Sequence, residues 1–170
     1  MRSSSPPPFR VLLRHADAGS KSAWVGNDEW RGLSELGRGQ AGEVAARLMD
    51  MPILRILSSP SLRCRQSVVP LARELVVDVE PCWQLGLSAQ LQHLLRFLDD
   101  EETASSVLCT HRETLEMLFA HLTDVEAVRA DGVLPISMAA AWILHGTVGR
   151  EPVRLECLPA VEVGTAQLAG

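Results

Sequence analysis

The sequence predicts an α/β fold, a three-layer α/β/α sandwich built on a mostly parallel central sheet. Two observations predict it. Short apolar runs alternate with segments of helical periodicity along most of the chain, the pattern of a parallel sheet covered on both faces by helices. Three of the apolar runs also end on clusters of Arg, His, Ser and Thr, and in such folds ligands bind beyond the carboxyl ends of the strands.

Phe9 to Leu13 (FRVLL) is the first buried strand, ending on Arg14-His15. Residues 16–33 carry three Gly and many polar residues without periodicity, a loop longer than connection alone requires. Ser34 caps a helix with Leu36, Ala41, Val44, Ala45 and Leu48 on its inner face. Ile53 to Ser58 is a second strand. Ser59-Pro60-Ser61 then opens a helix with Val68, Leu71, Ala72 and Leu75 inward, and Pro70 predicts a kink or early break there. Val76 to Val79 reads as a third strand and Ser88 to Leu98 as a helix, with Leu91, Leu94, Leu95 and Leu98 at helical spacing. Ser106 to Thr110 is a strand, and Arg112 to Leu122 a helix. Met138 to Leu144 and Val153 to Leu158 are two final strands. Residues 1–8 read as a disordered Ser/Pro leader, 9–158 as one domain, and 159–170 as a loose tail.

A chain of 170 residues suits one domain with a substantial core. Its formal charge of -5 argues against a nucleic-acid polymer as partner, so any anion site must be a local cluster of cations on an acidic body. The four cysteines are widely spaced with no C-x-x-C pair, which reads as reduced thiols and neither a zinc site nor a disulfide framework. The N-terminus has no apolar stretch of a signal peptide and no run spans a membrane, so a cytoplasmic, membrane-free, monomeric protein is expected.

Phosphoryl transfer needs an in-line nucleophile and cations around the equatorial oxygens. A neutral imidazole serves as nucleophile near pH 7, and arginine offers phosphate two donors at once. Unit charges at ~4 Å interact by roughly 4 kcal/mol at a surface-like dielectric. Nearby arginines would also keep His15 unprotonated.

The chain reads, in order, L-L-R-H-A-D-A, R-G-L-S-E-L-G-R-G-Q-A, L-S-S-P-S-L-R-C-R-Q-S and L-C-T-H-R-E. Together these motifs resemble the histidine phosphatases (the phosphoglycerate mutase-like superfamily) over roughly residues 9–158. Within the superfamily the short branch fits best. The sequence is similar to SixA-like phosphohistidine phosphatases, and more closely to the histidine-phosphatase domain that follows a Nudix domain in some actinobacterial MutT-type proteins, although no Nudix signature occurs in these residues. The resemblance implies that His15 is the nucleophile that becomes phosphohistidine, that Arg14 and Arg63 bind the phosphoryl oxygens, and that His111 completes the pocket. It also makes Ser34 a cap and Gly37 a packing position. No metal or cofactor is implied.

Longer family members carry a general acid after the third strand. Here that region reads E-P-C-W-Q-L-G-L-S-A-Q, and Glu80 reads as a solvated edge charge. Loss of the acid would cost roughly 100- to 10,000-fold with a poor leaving group. The cost is small for phosphohistidine or an acyl phosphate, and the SixA-like branch lacks the acid too. Arg112 reads either as a further substrate-facing cation or as a solvent-facing helix start. Lys21 and Arg31 are candidate substrate contacts, with Trp24 or Trp30 as an apolar lid. Asp17 is read as a loop-ordering acceptor in preference to a proton donor.

The function expected is a metal-independent phosphatase acting through phosphohistidine on a phosphohistidine protein or a small phosphometabolite. A nucleotide or sugar phosphate monoesterase of the same superfamily is the alternative within the class. A metallophosphoesterase, suggested by the H-x-D of His15 and Asp17, lacks further ligands in the sequence. A non-catalytic phosphate-binding regulatory module is the alternative outside enzymes.

Overall fold

The computed structural model describes residues 8–124, 128–130, 136–149 and 153–158. The expected leader and tail fall almost wholly outside the described residues. Within the described residues, seven strands form one sheet: β1 (Phe9–Arg14), β2 (Arg55–Ser58), β3 (Val79–Pro81), β4 (Ser106–Thr110), β5 (Val128–Ala130), β6 (Ala141–His145) and β7 (Val153–Leu158), in the order β3-β2-β4-β1-β6-β7-β5. Pairing is parallel for β1–β4, β2–β4, β2–β3 and β5–β7, whereas β6 runs antiparallel to both β1 and β7.

Among the described residues, four helices cover the sheet: α1 (Glu35–Leu48), α2 (Leu62–Leu75), α3 (Leu91–Asp99) and α4 (Arg112–Asp124). Successive strand residues point to opposite faces, so each run builds two cores. Val11, Leu13, Ile56, Val107 and Cys109 meet the helices α1 and α2 through Ala41, Val44, Leu48, Val68 and Leu71. Leu12, Leu57, Leu108, Trp142 and Leu144 meet α3 and α4 through Leu94, Leu98, Leu115, Leu118 and Leu122. This is the mixed α/β sandwich the sequence predicts.

Several boundaries move, each for a local reason. Helix α2 continues through Pro70 to Leu75 without the expected break, and it ends where Val76 adopts a left-handed conformation (φ 56°). The third strand therefore starts at Val79, three residues later than the valine-rich run suggests. Leu36 is 49% exposed, outside the inner face of α1, while Gly37 is buried in that face. Strand β6 begins at Ala141 because Ala139 also takes a positive φ of 57°. Strand β5 was not foreseen. Among the described residues, no helix is long and apolar enough to cross a membrane.

Candidate active site

Strands β1, β2 and β4 are parallel neighbours, so their carboxyl ends gather at one edge of the sheet. The ladder continues past each strand: His15 N–H donates to Thr110 O at 3.0 Å, and Ser59 N–H to Cys109 O at 2.9 Å. Arg14 N–H donates to Ala140 O (3.0 Å) and Ala139 N–H to His15 O (3.2 Å), so the segment entering β6 closes the other side. These bonds fix the backbone of Arg14-His15 from two directions.

His15 is 7% exposed. Its Nδ1 lies 2.8 Å from Ala16 O, an acceptor only, so Nδ1 carries the proton and Nε2 keeps its lone pair. Burial is the main influence that pushes this imidazole down to about 4; the Ala16 bond opposes it, and the charges of His111, Arg63 and Arg14 reinforce it. The ring is therefore neutral at pH 7. His111 stands edge to face with it, ring centroids 5.5 Å apart.

Arg63, on the first turn of α2, is 2% exposed. Its Nη2 lies 3.4 Å from His111 Nδ1. A guanidinium only donates, so the His111 Nδ1 facing it accepts, and Nε2–H donates to Ser59 Oγ at 2.8 Å. Arg14 Nη1 donates to Ile136 O at 2.6 Å. Burial lowers the Arg14 pKa first and the charge of Arg112 adds to this, while Glu113, Glu116 and Asp17 oppose it. Among the described residues, the buried Nε atoms of Arg14 and Arg63 have no hydrogen-bond partner. Two orphaned donors on the guanidiniums flanking a histidine pair fit an anion with several acceptor oxygens.

The geometry thus brings Arg14, His15, Arg63 and His111 together at the sheet edge. Residues 11–85 match the family model described as Histidine phosphatase superfamily (branch 1). A solved structure assigned as the phosphohistidine phosphatase SixA of Agrobacterium tumefaciens is 26% identical, with a TM-score of 0.68 over 90% of this chain and 99% of that one. Residues 11–85 thus resemble the histidine phosphatase superfamily, and the fold of the chain is similar to that of SixA. The protein histidine phosphatase SixA in complex with tungstate shares the fold at 20% identity, with a TM-score of 0.68 over 89% of this chain and 94% of that chain. An 8-oxo-(d)GTP phosphatase of Mycolicibacterium smegmatis is 37% identical over 65 residues, 38% of this chain. The matched segment spans 20% of that relative's length. Family and structural likeness together support phosphatase activity.

The long loop after His15 is tied down residue by residue. Ala16 N–H donates to Ser67 Oγ at 2.8 Å, and Ser67 in turn donates to Arg63 O at 2.7 Å. Asp17 is a loop-ordering acceptor: its Oδ1 receives Gly19 N–H (3.0 Å) and Ser34 Oγ–H (2.5 Å). Ser34 caps α1 by accepting from Gly37 N–H at 3.0 Å. A Cβ on Gly37 would lie 1.9 Å from Asp17 O, so only glycine lets the helix approach the loop this closely.

Of the candidate substrate contacts, Lys21 and Arg112 are exposed, Arg112 pairing with Glu116 at 2.6 Å. Arg31 is 8% exposed; its Nε donates to Asp28 Oδ1 (2.8 Å) and its Nη1 to Ala18 O and Gly19 O (2.8 and 3.1 Å). Trp24 and Trp30 are 41% and 63% exposed. Glu80 receives two bonds from Arg55, at 2.9 and 2.6 Å; these bonds lead in holding its carboxyl below the usual range. Sequence reasoning missed Ser59, Ser67, the Ile136 carbonyl and Asp28. Asp28 had one readable signal, its i,i+3 spacing to Arg31 in D-E-W-R, which a 3₁₀ turn places on one side. Among the described residues, no three His, Cys, Asp or Glu side chains are grouped as a metal site.

Proposed function

We propose that this phosphatase works through a phosphohistidine intermediate on His15. The Nε2 lone pair attacks phosphorus in line, the bond to the leaving group breaks, and the leaving group takes its electron pair. Water then attacks the phosphorylated His15, breaks the P–N bond and releases orthophosphate. Arg14 and Arg63 hold the equatorial oxygens throughout, where charge stabilisation acts most strongly on the transition state, and His111, engaged by Arg63 and Ser59, completes the pocket beside His15. The observation that carries this reading is the pair of buried, unpartnered Nε donors on Arg14 and Arg63 beside a neutral His15 whose Nδ1 is already committed.

The substrate is a phosphohistidine protein or a small phosphometabolite with a good leaving group. Residues 80–90 contain a single carboxylate, Glu80, and Arg55 keeps it ionised and unable to donate a proton. Phosphoramidates and acyl phosphates leave with little protonation at the enzyme. Lys21 and Arg112 add positive charge for an anionic substrate, and Arg31 acts through Asp28, which accepts from its Nε at 2.8 Å. The free cysteines suit a reducing, cytoplasmic compartment.

The decisive experiment is a panel of phosphohistidine peptide, acyl phosphate, nucleotides, sugar phosphates and aryl phosphates, combined with acid quench. The expected result is an acid-labile phosphoenzyme that disappears in His15→Ala, with phosphoramidates turned over faster than alkyl phosphates. Equal rates on alkyl phosphates would remove the leaving-group argument. Absence of any phosphoenzyme would remove His15 as nucleophile.

A further inference from the structure

Asp28 lies in the loop before α1, at the start of a 3₁₀ turn (Asp28–Trp30) capped by Asn27, whose Oδ1 accepts from Glu29 N–H at 3.0 Å. From there it touches two buried arginines. Its Oδ1 accepts from Arg31 Nε at 2.8 Å, and its Oδ2 lies 3.1 Å from Arg63 Nη2. Its main-chain oxygen also accepts from Arg63 Nη1 at 2.8 Å. One residue thus meets both terminal nitrogens of Arg63, while its carboxylate bridges two guanidiniums whose side chains are 10% and 3% exposed.

The pattern of used and unused donors on Arg63 is informative. A guanidinium presents two forks to an oxyanion: one at its end, through Nη1 and Nη2, and one at its side, through Nε and the second hydrogen of Nη2. Asp28 takes the end. On the side, the second hydrogen of Nη2 faces His111 Nδ1 and the buried Nε–H has no partner among the described residues. Asp28 therefore leaves Nε–H as the donor available to a phosphoryl oxygen and fixes the plane in which it is presented. The bridging carboxylate also offsets the repulsion that would push Arg31 and Arg63 apart.

We infer that Asp28 is a positioning residue of the phosphatase centre, clamping Arg63 end-on against Arg31 so that the side of its guanidinium faces the phosphoryl group. This rests on the phosphatase reading above. The loop after His15 thereby sets the geometry of a phosphate-binding residue on α2, a task that a connecting loop does not need to perform.

The test measures orthophosphate binding by calorimetry, and steady-state kinetics on an aryl phosphate, for wild type, Asp28→Asn and Asp28→Glu. Loss of a charged bond to Arg63 should raise both the orthophosphate Kd and KM about tenfold in Asp28→Asn, with a smaller change in kcat. Asp28→Glu, which keeps the charge, should recover much of the loss. A melting curve establishes that each variant is folded, and Asp28→Ser replaces Asp28→Asn if that variant is not. Unchanged or tighter orthophosphate binding in the folded variant overturns the inference, tighter binding meaning that Asp28 blocks the site. A wild-type protein that neither binds orthophosphate nor turns over any phosphate ester contradicts the phosphatase reading instead.

Discussion

His15 and Ala16 share a 2.8 Å hydrogen bond in which the ring Nδ1–H donates to the neighbouring main-chain oxygen. Because the acceptor belongs to the next residue, the tautomer is set by the backbone and survives any rearrangement of distant side chains. Burial works in the same direction by keeping the ring neutral, with a pKa of about 4.

This gives a pH signature. The ordinary imidazole value is 6.5, so between 6.5 and about 4 the unfolded chain binds a proton that folded His15 refuses. Stability should fall as pH drops through that window, by about 3 kcal/mol in full. Urea unfolding at pH 7 and pH 5 should show a smaller acid loss for His15→Asn than for wild type. The fraction of His15 in its neutral form should likewise persist to near pH 4, as read by NMR titration of the ring.

Gly37→Ala should destabilise the fold by about 1–3 kcal/mol, the range for a forced steric insertion. The new methyl meets the Asp17 carbonyl, which is backbone and cannot rotate away. Thermal melting measures the loss. Because Asp17 is two residues beyond His15, the variant should also lose activity below its melting point.

Ser59→Ala removes the acceptor for the His111 Nε2–H inside a buried site. An unpaired buried donor costs about 1–3 kcal/mol. The expected result is a lower melting temperature together with a raised KM, since His111 also contacts Arg63.

Glu80→Gln should leave kcat on aryl and alkyl phosphates unchanged. Arg55 binds both carboxylate oxygens, so the side chain is an ion-pair partner and not a proton donor. Stability should change by less than about 1 kcal/mol, as for other half-exposed ion pairs. A large fall in kcat confined to alkyl phosphates would reinstate Glu80 as an acid.

Much of the frame was legible because it depends on local pattern. The strand Ser106–Thr110 and the start of α4 at Arg112 fall where the apolar run and the helical spacing place them. The four residues drawn from separate motifs also converge, since parallel strands bring their carboxyl ends to one edge. What the sequence concealed is long-range or conformational. Valine-rich 76–79 has strand propensity, yet Val76 ends a helix in the left-handed region, a choice made by tertiary packing. Asp28 looked like one polar residue in an irregular loop, because its partner Arg63 lies 35 positions away and only the fold joins them. The direction of β6 leaves no trace in periodicity at all.

The strand order carries a consequence for synthesis. Residues 11–85, the span matched by the family, contain Arg14, His15 and Arg63, but β1 pairs only with β4 and β6, which begin at Ser106 and Ala141. A nascent chain emerging from the ribosome to residue 85 holds His15 directly after a strand with neither neighbour. Chains generally fold from the N-terminus as they are made, yet this one must keep its first strand waiting for the last part of the sheet. Stalling or truncation before residue 145 should therefore yield an inert chain with an unpaired, aggregation-prone central strand.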